Sequence, residues 1–440
     1  MSVARPAIPS RSGRRSESLF ALSAYSLILL TRGWGSQRYV RGDDARMLND
    51  ALARPWKAIL EPYAGYLQVA PRLLIQLVSH LPVNLMPPAI FITSIALWVI
   101  AARGIDVLVA RLTEEPLRGL AAGVLLLLSP PACVELVGYL DQSLWIMYLL
   151  LLTKLVADHP VASRMSPSWV AASVVLILST PLSVIFFTVL ATDWLRMRGA
   201  SASRVPFVLV ASATASLTQL WTTLQQTDRV TSPSFRVMAT GIRWWLSSLL
   251  PQPLRDQYYR SPGIVYWLTL ALCGLLVGGL IVRLRYLGRS DECQYRATAA
   301  SRILLVCLGV LCFVTFLSPG VHLGYLVIPT GGLVVSILTA DAVGCRVLPS
   351  FAGTALLGVY LVSCAQSFRP YTSSDIFIGA GGRVLQRLIP WSVALERARA
   401  QCISLPASTL ISVETAAESG PWTINIPCGR MGPALDSPPS

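Results

Sequence analysis

The sequence predicts an all-α protein built as a polytopic membrane helical bundle, and three observations predict it. Hydrophobic residues make up 54% of the chain and charged residues only 13%, with a mean hydropathy of +0.59; soluble domains run near 45–50% apolar and about 25% charged. Apolar runs recur from Leu19 to Ala365, several of them long enough to cross about 30 Å of hydrocarbon. Lys and Arg gather between alternate runs, as cytoplasmic loops require. The formal charge of +14 forms no dense stripe, so topology explains it and no nucleic-acid partner is implied. The nine cysteines contain no CxxC and no metal-ligand spacing. Only Cys402 and Cys428 share the C-terminal segment, where they could pair if it faces an oxidising compartment.

Residues 1–18 read as a disordered cytoplasmic tail, with Arg11, Arg14 and Arg15 ahead of the first apolar run, LFALSAYSLILL. No small-x-small cleavage site follows, so that run is expected to be an uncleaved helix. Residues 19–365 form the transmembrane domain, with a first external loop at 33–83 and a second large one at 225–263. Asn84 to Ala102 returns inward, Leu117 to Pro131 goes out and Gln142 to Val156 comes back. Trp169 to Leu195 is interrupted by Ser179, Thr180 and Pro181. Read as a short broken hairpin, it keeps Arg196, Arg198 and Arg204 cytoplasmic. Pro206 to Leu224, Ile264 to Val282, Ile303 to Leu317, Val321 to Ala340 and Leu348 to Ala365 complete about 11 crossings. Residues 366–440 then lie outside as a tail too short to bury a substantial core alone, with TINIP as a short strand.

The first loop, RGDDARMLNDALARPWKAILEPYAGYLQVAPRLLIQLVSHL, collects the chemistry. Asp43 and Asp44 are adjacent carboxylates. From Ala70 onward apolar residues fall on one helical face, while Arg72, Gln76 and His80 repeat every four residues on another. Such a helix is expected to lie in the membrane interface with its polar stripe facing a site, and the second loop is expected to hold interfacial helices too. Pro71 fits in the first turn.

A basic N-terminus, one helix and an external loop with an acidic pair and an interfacial helix resemble the GT-C superfamily of integral-membrane glycosyltransferases. The hairpin broken at Ser179-Thr180-Pro181 is similar to that superfamily's cytoplasm-anchored middle helices. The runs PYAGYLQVAPRLL, SLTQLWTTLQQTDR and PWTINIP resemble uncharacterised bacterial multi-spanning proteins of this type. The resemblance implies transfer of a sugar from a polyprenyl-phosphate carrier on the outer face of the cytoplasmic membrane; the basic N-terminal residues and the count of crossings give a cytoplasmic N-terminus and an external C-terminus. The superfamily's first-loop acid matches Asp43 or Asp44. Many members carry a large external domain after the last helix, where this chain has a tail.

Each candidate residue has a bland role beside the functional one. Direct displacement needs a carboxylate base on the acceptor hydroxyl; Asp43 and Asp44 suit that and equally an Asx turn or helix cap. Lys57, Arg72 and Arg243 could neutralise the departing phosphate or snorkel at the interface. Glu135 and Asp141 flank a membrane helix end and could hold sugar hydroxyls or a divalent cation, or simply be solvated. His80 and His322 could act in a second sphere or be structural. Tyr63 and Tyr66, with Trp56, Trp244 and Trp245, could stack on a sugar, although an aromatic belt accounts for them. A transporter or lipid flippase, which would place ionisable groups midway along apolar helices, is the alternative in another class; a non-catalytic scaffold is a third.

Overall fold

The computed structural model describes residues 11–62, 66–129, 137–157, 167–180, 182–198, 207–225, 234–250, 252–255, 263–287, 294–317, 323–340, 350–367, 376–378, 384–415 and 423–431. Its helices in chain order are α1 (Arg11–Gly33), α2 (Gly42–Ala53), α3 (Val69–Ser79), α4 (Met86–Thr113), α5 (Pro116–Leu128), α6 (Leu140–Ala157), α7 (Pro167–Ile177) and α8 (Ser183–Arg198). They continue with α9 (Phe207–Gln225), α10 (Phe235–Ser248), α11 (Gln252–Arg255), α12 (Ile264–Leu287), α13 (Gln294–Leu317), α14 (Leu323–Ala340), α15 (Ser350–Ser367) and α16 (Trp391–Cys402). The fold is mostly helical. It is not purely so, because β1 (Ile376–Ile378) pairs antiparallel with β2 (Val384–Arg387), and β3 (Leu410–Glu414) with β4 (Thr423–Pro427).

Among the described residues three helical segments are long and apolar enough to cross a membrane: Val83–Thr113, Ile264–Arg285 and Ala297–Phe316. The centre of the bundle is α6. Its residues Leu144, Ile146, Leu149, Leu150, Leu151, Leu152 and Leu155 are all buried, because a helix that is apolar all round needs neighbours on every side. Those neighbours include α4, α13 and α14.

The helix expected to end at Ala102 runs on to Thr113. Its extra turns carry charge that is satisfied inside the protein. Asp106 pairs with Arg103 and accepts from the Tyr25 hydroxyl at 2.9 Å, while Arg103 also donates to Ser18 Oγ at 2.8 Å. This staple ties α1 to α4. The aromatic-belt reading of Trp244 and Trp245 is corrected too: both are buried, and Trp245 Nε1 donates to Thr330 Oγ1 at 3.2 Å. Tertiary packing overrides the interfacial pattern of the sequence on this face of α10.

The segment expected to be a tail is folded over the described residues 388–415 and 423–431. Strands β3 and β4 align Ile411 with Ile426 and Val413 with Ile424. Val413, Ile424 and Ile426 join Trp391, Ala394 and Leu395 of α16 in one apolar cluster with Ala45, Met47 and Leu48 of α2 and Ile75 and Val78 of α3. The segment cannot bury a core alone, so it shares one with the first loop. Polar ties close the joint: Trp391 Nε1 donates to Val83 O at 2.8 Å and Asn425 N to Asn49 Oδ1 at 2.9 Å. Cys402 and Cys428 form a disulfide across 26 residues of sequence.

Closing a loop of that length stabilises by about 3 kcal/mol through the unfolded state. Cys402→Ser is therefore expected to speed amide exchange across β3 and β4 while leaving α6 protected. Hydrogen exchange of both forms checks this; equal protection in β3 and β4 would show that the disulfide contributes nothing to the unit.

Candidate functional site

Two chain segments that are about a hundred residues apart are pressed together at the start of α6. On one, Arg41 donates to Ser36 Oγ at 2.9 Å and lays its guanidinium over the Tyr139 ring, 4.4 Å from the centroid. Gly42 has φ of +50°, and a Cβ there would meet the Tyr139 hydroxyl 2.5 Å away. On the other, Gly138 has φ of +90° and donates its N–H to Ser94 Oγ at 3.0 Å. Both positions need glycine, for conformation and for closeness.

This approach puts Asp44 under the N-terminus of α6. Its Oδ2 accepts from Leu140 N at 2.8 Å and its Oδ1 from Asp141 N at 3.0 Å. The first amides of a helix lack intrahelical partners and carry the positive end of its dipole, so a carboxylate supplied from α2 satisfies them. The cap reading is met in an unforeseen form: Asp44 caps a distant helix. Burial and the neighbouring Asp43 charge raise its pKa, the two amide bonds and Arg41 lower it, and the net is a rise to about 7.

Asp43, half-buried, and Asp141 face each other closely enough for their charges to interact. Gln142 Nε2 donates to Asp141 Oδ2 at 2.8 Å. Tyr66 completes the group. Burial of its hydroxyl, then the Asp141 and Tyr325 side chains, push its pKa well above the usual range, while Gln68, donating to it at 3.0 Å, pulls the other way. Tyr148 lies beneath, close to both Tyr66 and Asp141. The cluster therefore offers two half-buried carboxylates beside tyrosines, a setting able to orient hydroxyl groups and accept a proton.

Tyr66 is held there by the middle helices. Leu67 exchanges two hydrogen bonds with the Gln219 amide of α9, at 2.9 and 3.0 Å. Ala70 N donates to Ser179 Oγ at 2.7 Å, and Tyr148 Oη donates to Ser179 O at 2.9 Å. The break at Ser179-Thr180 thus receives the N-terminus of α3.

The polar stripe of α3 serves the loop itself. Arg72, 4% exposed, donates to Ala58 O at 2.5 Å and to Asp50 Oδ2 at 3.3 Å, and burial lowers its pKa against the pull of Asp50. Gln76 Oε1 accepts from Trp56 N at 3.0 Å, and the stripe faces the 54–61 turn, so the expected orientation toward the site is corrected. His80 is exposed beside Trp56, and Lys57 is exposed on the same turn. Arg243 stacks on Trp267 at 4.6 Å and donates to Tyr266 Oη at 3.2 Å, against α12. Tyr63, Glu135 and His322 lie outside the described residues.

Of the candidates, Asp43, Asp44, Tyr66 and Asp141 come together. Lys57, Arg72 and His80 form a separate group, and Arg243 a third. Sequence reasoning assigns no site role to Arg41, Gln68, Tyr139, Tyr148, Ser179 or Gln219; Gly42 and Gly138 signal the close approach at Arg41 and Tyr139, and Ser179 enters only as part of the helix break. Among the described residues no group of three or more His, Cys, Asp or Glu is arranged to hold a metal ion, and Asp44 spends both oxygens on amides. The chain matches no protein-family model and no curated protein.

The raised pKa of Asp44 carries a pH dependence. The folded state keeps a proton that the unfolded chain releases near pH 4, so this contribution to stability is full below about pH 4 and lost as pH rises toward 7. Asp44→Asn is expected to flatten that slope in thermal unfolding between pH 4 and 8, and an unchanged slope would assign it to other groups. Arg72→Met removes the buried partner of Asp50, which keeps Arg54 at 3.5 Å, and one of the two donors to Ala58 O, the Glu61 amide remaining, so it is expected to destabilise by roughly 1–3 kcal/mol. Denaturation in detergent measures it; unaltered stability would free Arg72 for a role outside the loop.

Proposed function

We propose that the chain is a GT-C-type glycosyltransferase of the cytoplasmic membrane. It moves a sugar from a polyprenyl-phosphate carrier to an acceptor on the outer face, with the N-terminus cytoplasmic and the C-terminus external. The observation that carries this reading is the convergence of Asp43, Asp141 and Tyr66 where α6 begins. Asp43 is the base that takes the acceptor proton as its oxygen attacks the anomeric carbon. Asp44, with both oxygens on backbone amides, positions it. Asp141 and Tyr66 hold sugar hydroxyls. Arg41, whose charge acts on Asp44, suits the departing phosphate better than Arg72, which belongs to the separate group at the 54–61 turn.

The paired Cys402 and Cys428 support an external C-terminus, because such bonds persist in oxidising compartments. The short helices α7 and α8 on either side of Ser179 support the hairpin and the count of about 11 crossings. A transporter would place working charges partway along apolar helices. Arg103 and Asp106 are such charges, but they bind each other, Ser18 and Tyr25, which makes them a staple between helices.

Asp43→Asn is expected to lower sugar transfer about 10²–10⁴-fold, the usual effect of losing a general base, with insertion and folding unchanged. Transfer from a panel of polyprenyl-phosphate sugars in detergent measures this. Wild-type rates in Asp43→Asn would remove the base from this loop, and the glycosyltransferase reading would lose its main support.

A further inference from the structure

Several large apolar side chains are exposed on the first loop and the C-terminal segment, here called the outer unit, and some of them flank the turn at His80 between α3 and α4. There the chain enters the apolar segment Val83–Thr113. Leu77, Leu81 and Leu85 are exposed at this junction.

Trp56 stands beside it. Its ring centroid is 6.0 Å from that of His80, and it is 54% exposed. Its φ of 65° is a conformation that bulky residues rarely adopt, and the Gln76 side chain holds it by accepting from Trp56 N. Strain of this kind persists only where the surrounding structure enforces it. The result is a tryptophan presented outward, with Leu60 exposed on the same turn.

The C-terminal unit reaches the same junction. Arg430 Nη2 donates to Ser79 O at 2.6 Å and to Leu81 O at 3.4 Å. That anchors the turn Cys428–Arg430, and the disulfide carries the end of α16 with it. Ile403, the residue after Cys402, is 86% exposed, and Leu405 is exposed as well. Large apolar side chains concentrated on a surface mark an interaction site, and Trp and Leu flanking the start of a crossing helix match the composition of a bilayer interface.

We propose that the outer unit rests on the lipid surface, with Trp56 and Leu60 beside the α3–α4 junction and Ile403 and Leu405 on the C-terminal unit that reaches it, all at the boundary between headgroups and acyl chains. The partner is the bilayer that α4 crosses. The inference rests on that crossing and not on sugar transfer. Its effect is to fix the height of Asp43 and Asp141 above the hydrocarbon, since α2 and α3 share a core with the C-terminal unit.

The test is nitroxide accessibility in the full chain reconstituted into vesicles of phosphatidylcholine and phosphatidylglycerol. The label is carried by a non-natural amino acid installed in turn at Leu60, Leu405, Ser412 and Ile100, all exposed positions, so that no cysteine is added near the disulfide. Labels at Leu60 and Leu405 are expected to collide more often with oxygen than with a water-soluble nickel chelate, and the label at Ser412 the reverse. Ile100, on the exposed side of α4, reports the crossing separately. A Leu405 label as open to the chelate as Ser412 would overturn the proposal, whatever Ile100 shows. Shielding of Leu405 from both reagents would overturn it as well, because a second copy or another protein would then cover the surface.

Discussion

A single carboxylate, Asp44, joins α2 of the first loop to α6 at the centre of the bundle. Its two oxygens take the first amides of α6 from a helix almost a hundred residues earlier. Each of those amides would cost roughly 1–3 kcal/mol if left buried and unpaired, so the bond pair fixes α2 against α6 to within a hydrogen-bond length. Glycines at 42 and 138, both at positive φ, make room for it. The placement of Asp43 beside Asp141 follows from that clamp, and the bonds to Gln219 and Ser179 bring Tyr66 to them.

The rest of the first loop and the C-terminal segment stiffen the clamp from behind. Arg72 and Gln76 hold the 54–61 turn, Gln219 and Ser179 hold the start of α3, and the C-terminal hairpin adds an apolar backing to α2. Most polar side chains of the first loop are spent in this way. Asp43, Asp141 and Tyr66 lie beside one another outside that set. Preorganisation of this kind suits a reaction whose barrier is lowered by positioning and by a held proton acceptor.

The helices were largely legible in the sequence because apolar runs and their breakers act locally. The interruption at Ser179-Thr180, the strand at Thr423–Pro427 and Pro71 in the first turn of α3 all follow from that logic. Long-range partnerships were not legible. Nothing near Asp44 announces that its partners are Leu140 and Asp141, and the four-residue spacing of Arg72, Gln76 and His80 has the same appearance whether the stripe faces a site or its own loop. Trp244 and Trp245 resemble belt residues until the packing of α10 against α13 buries them. The C-terminal segment looked like a tail because half of its core belongs to residues more than three hundred positions earlier.

The most direct measurement is the position of the donor. An electron cryomicroscopy structure of the chain in lipid nanodiscs with a polyprenyl-phosphate sugar is expected to place the sugar against Tyr66 between Asp43 and Asp141. A carboxylate oxygen of Asp43 should then lie within about 3 Å of the space that an attacking hydroxyl would occupy. A sugar held instead beside Arg243 on the α10–α12 side, with Asp43 and Asp141 facing only solvent, would contradict the assignment of the site to the start of α6.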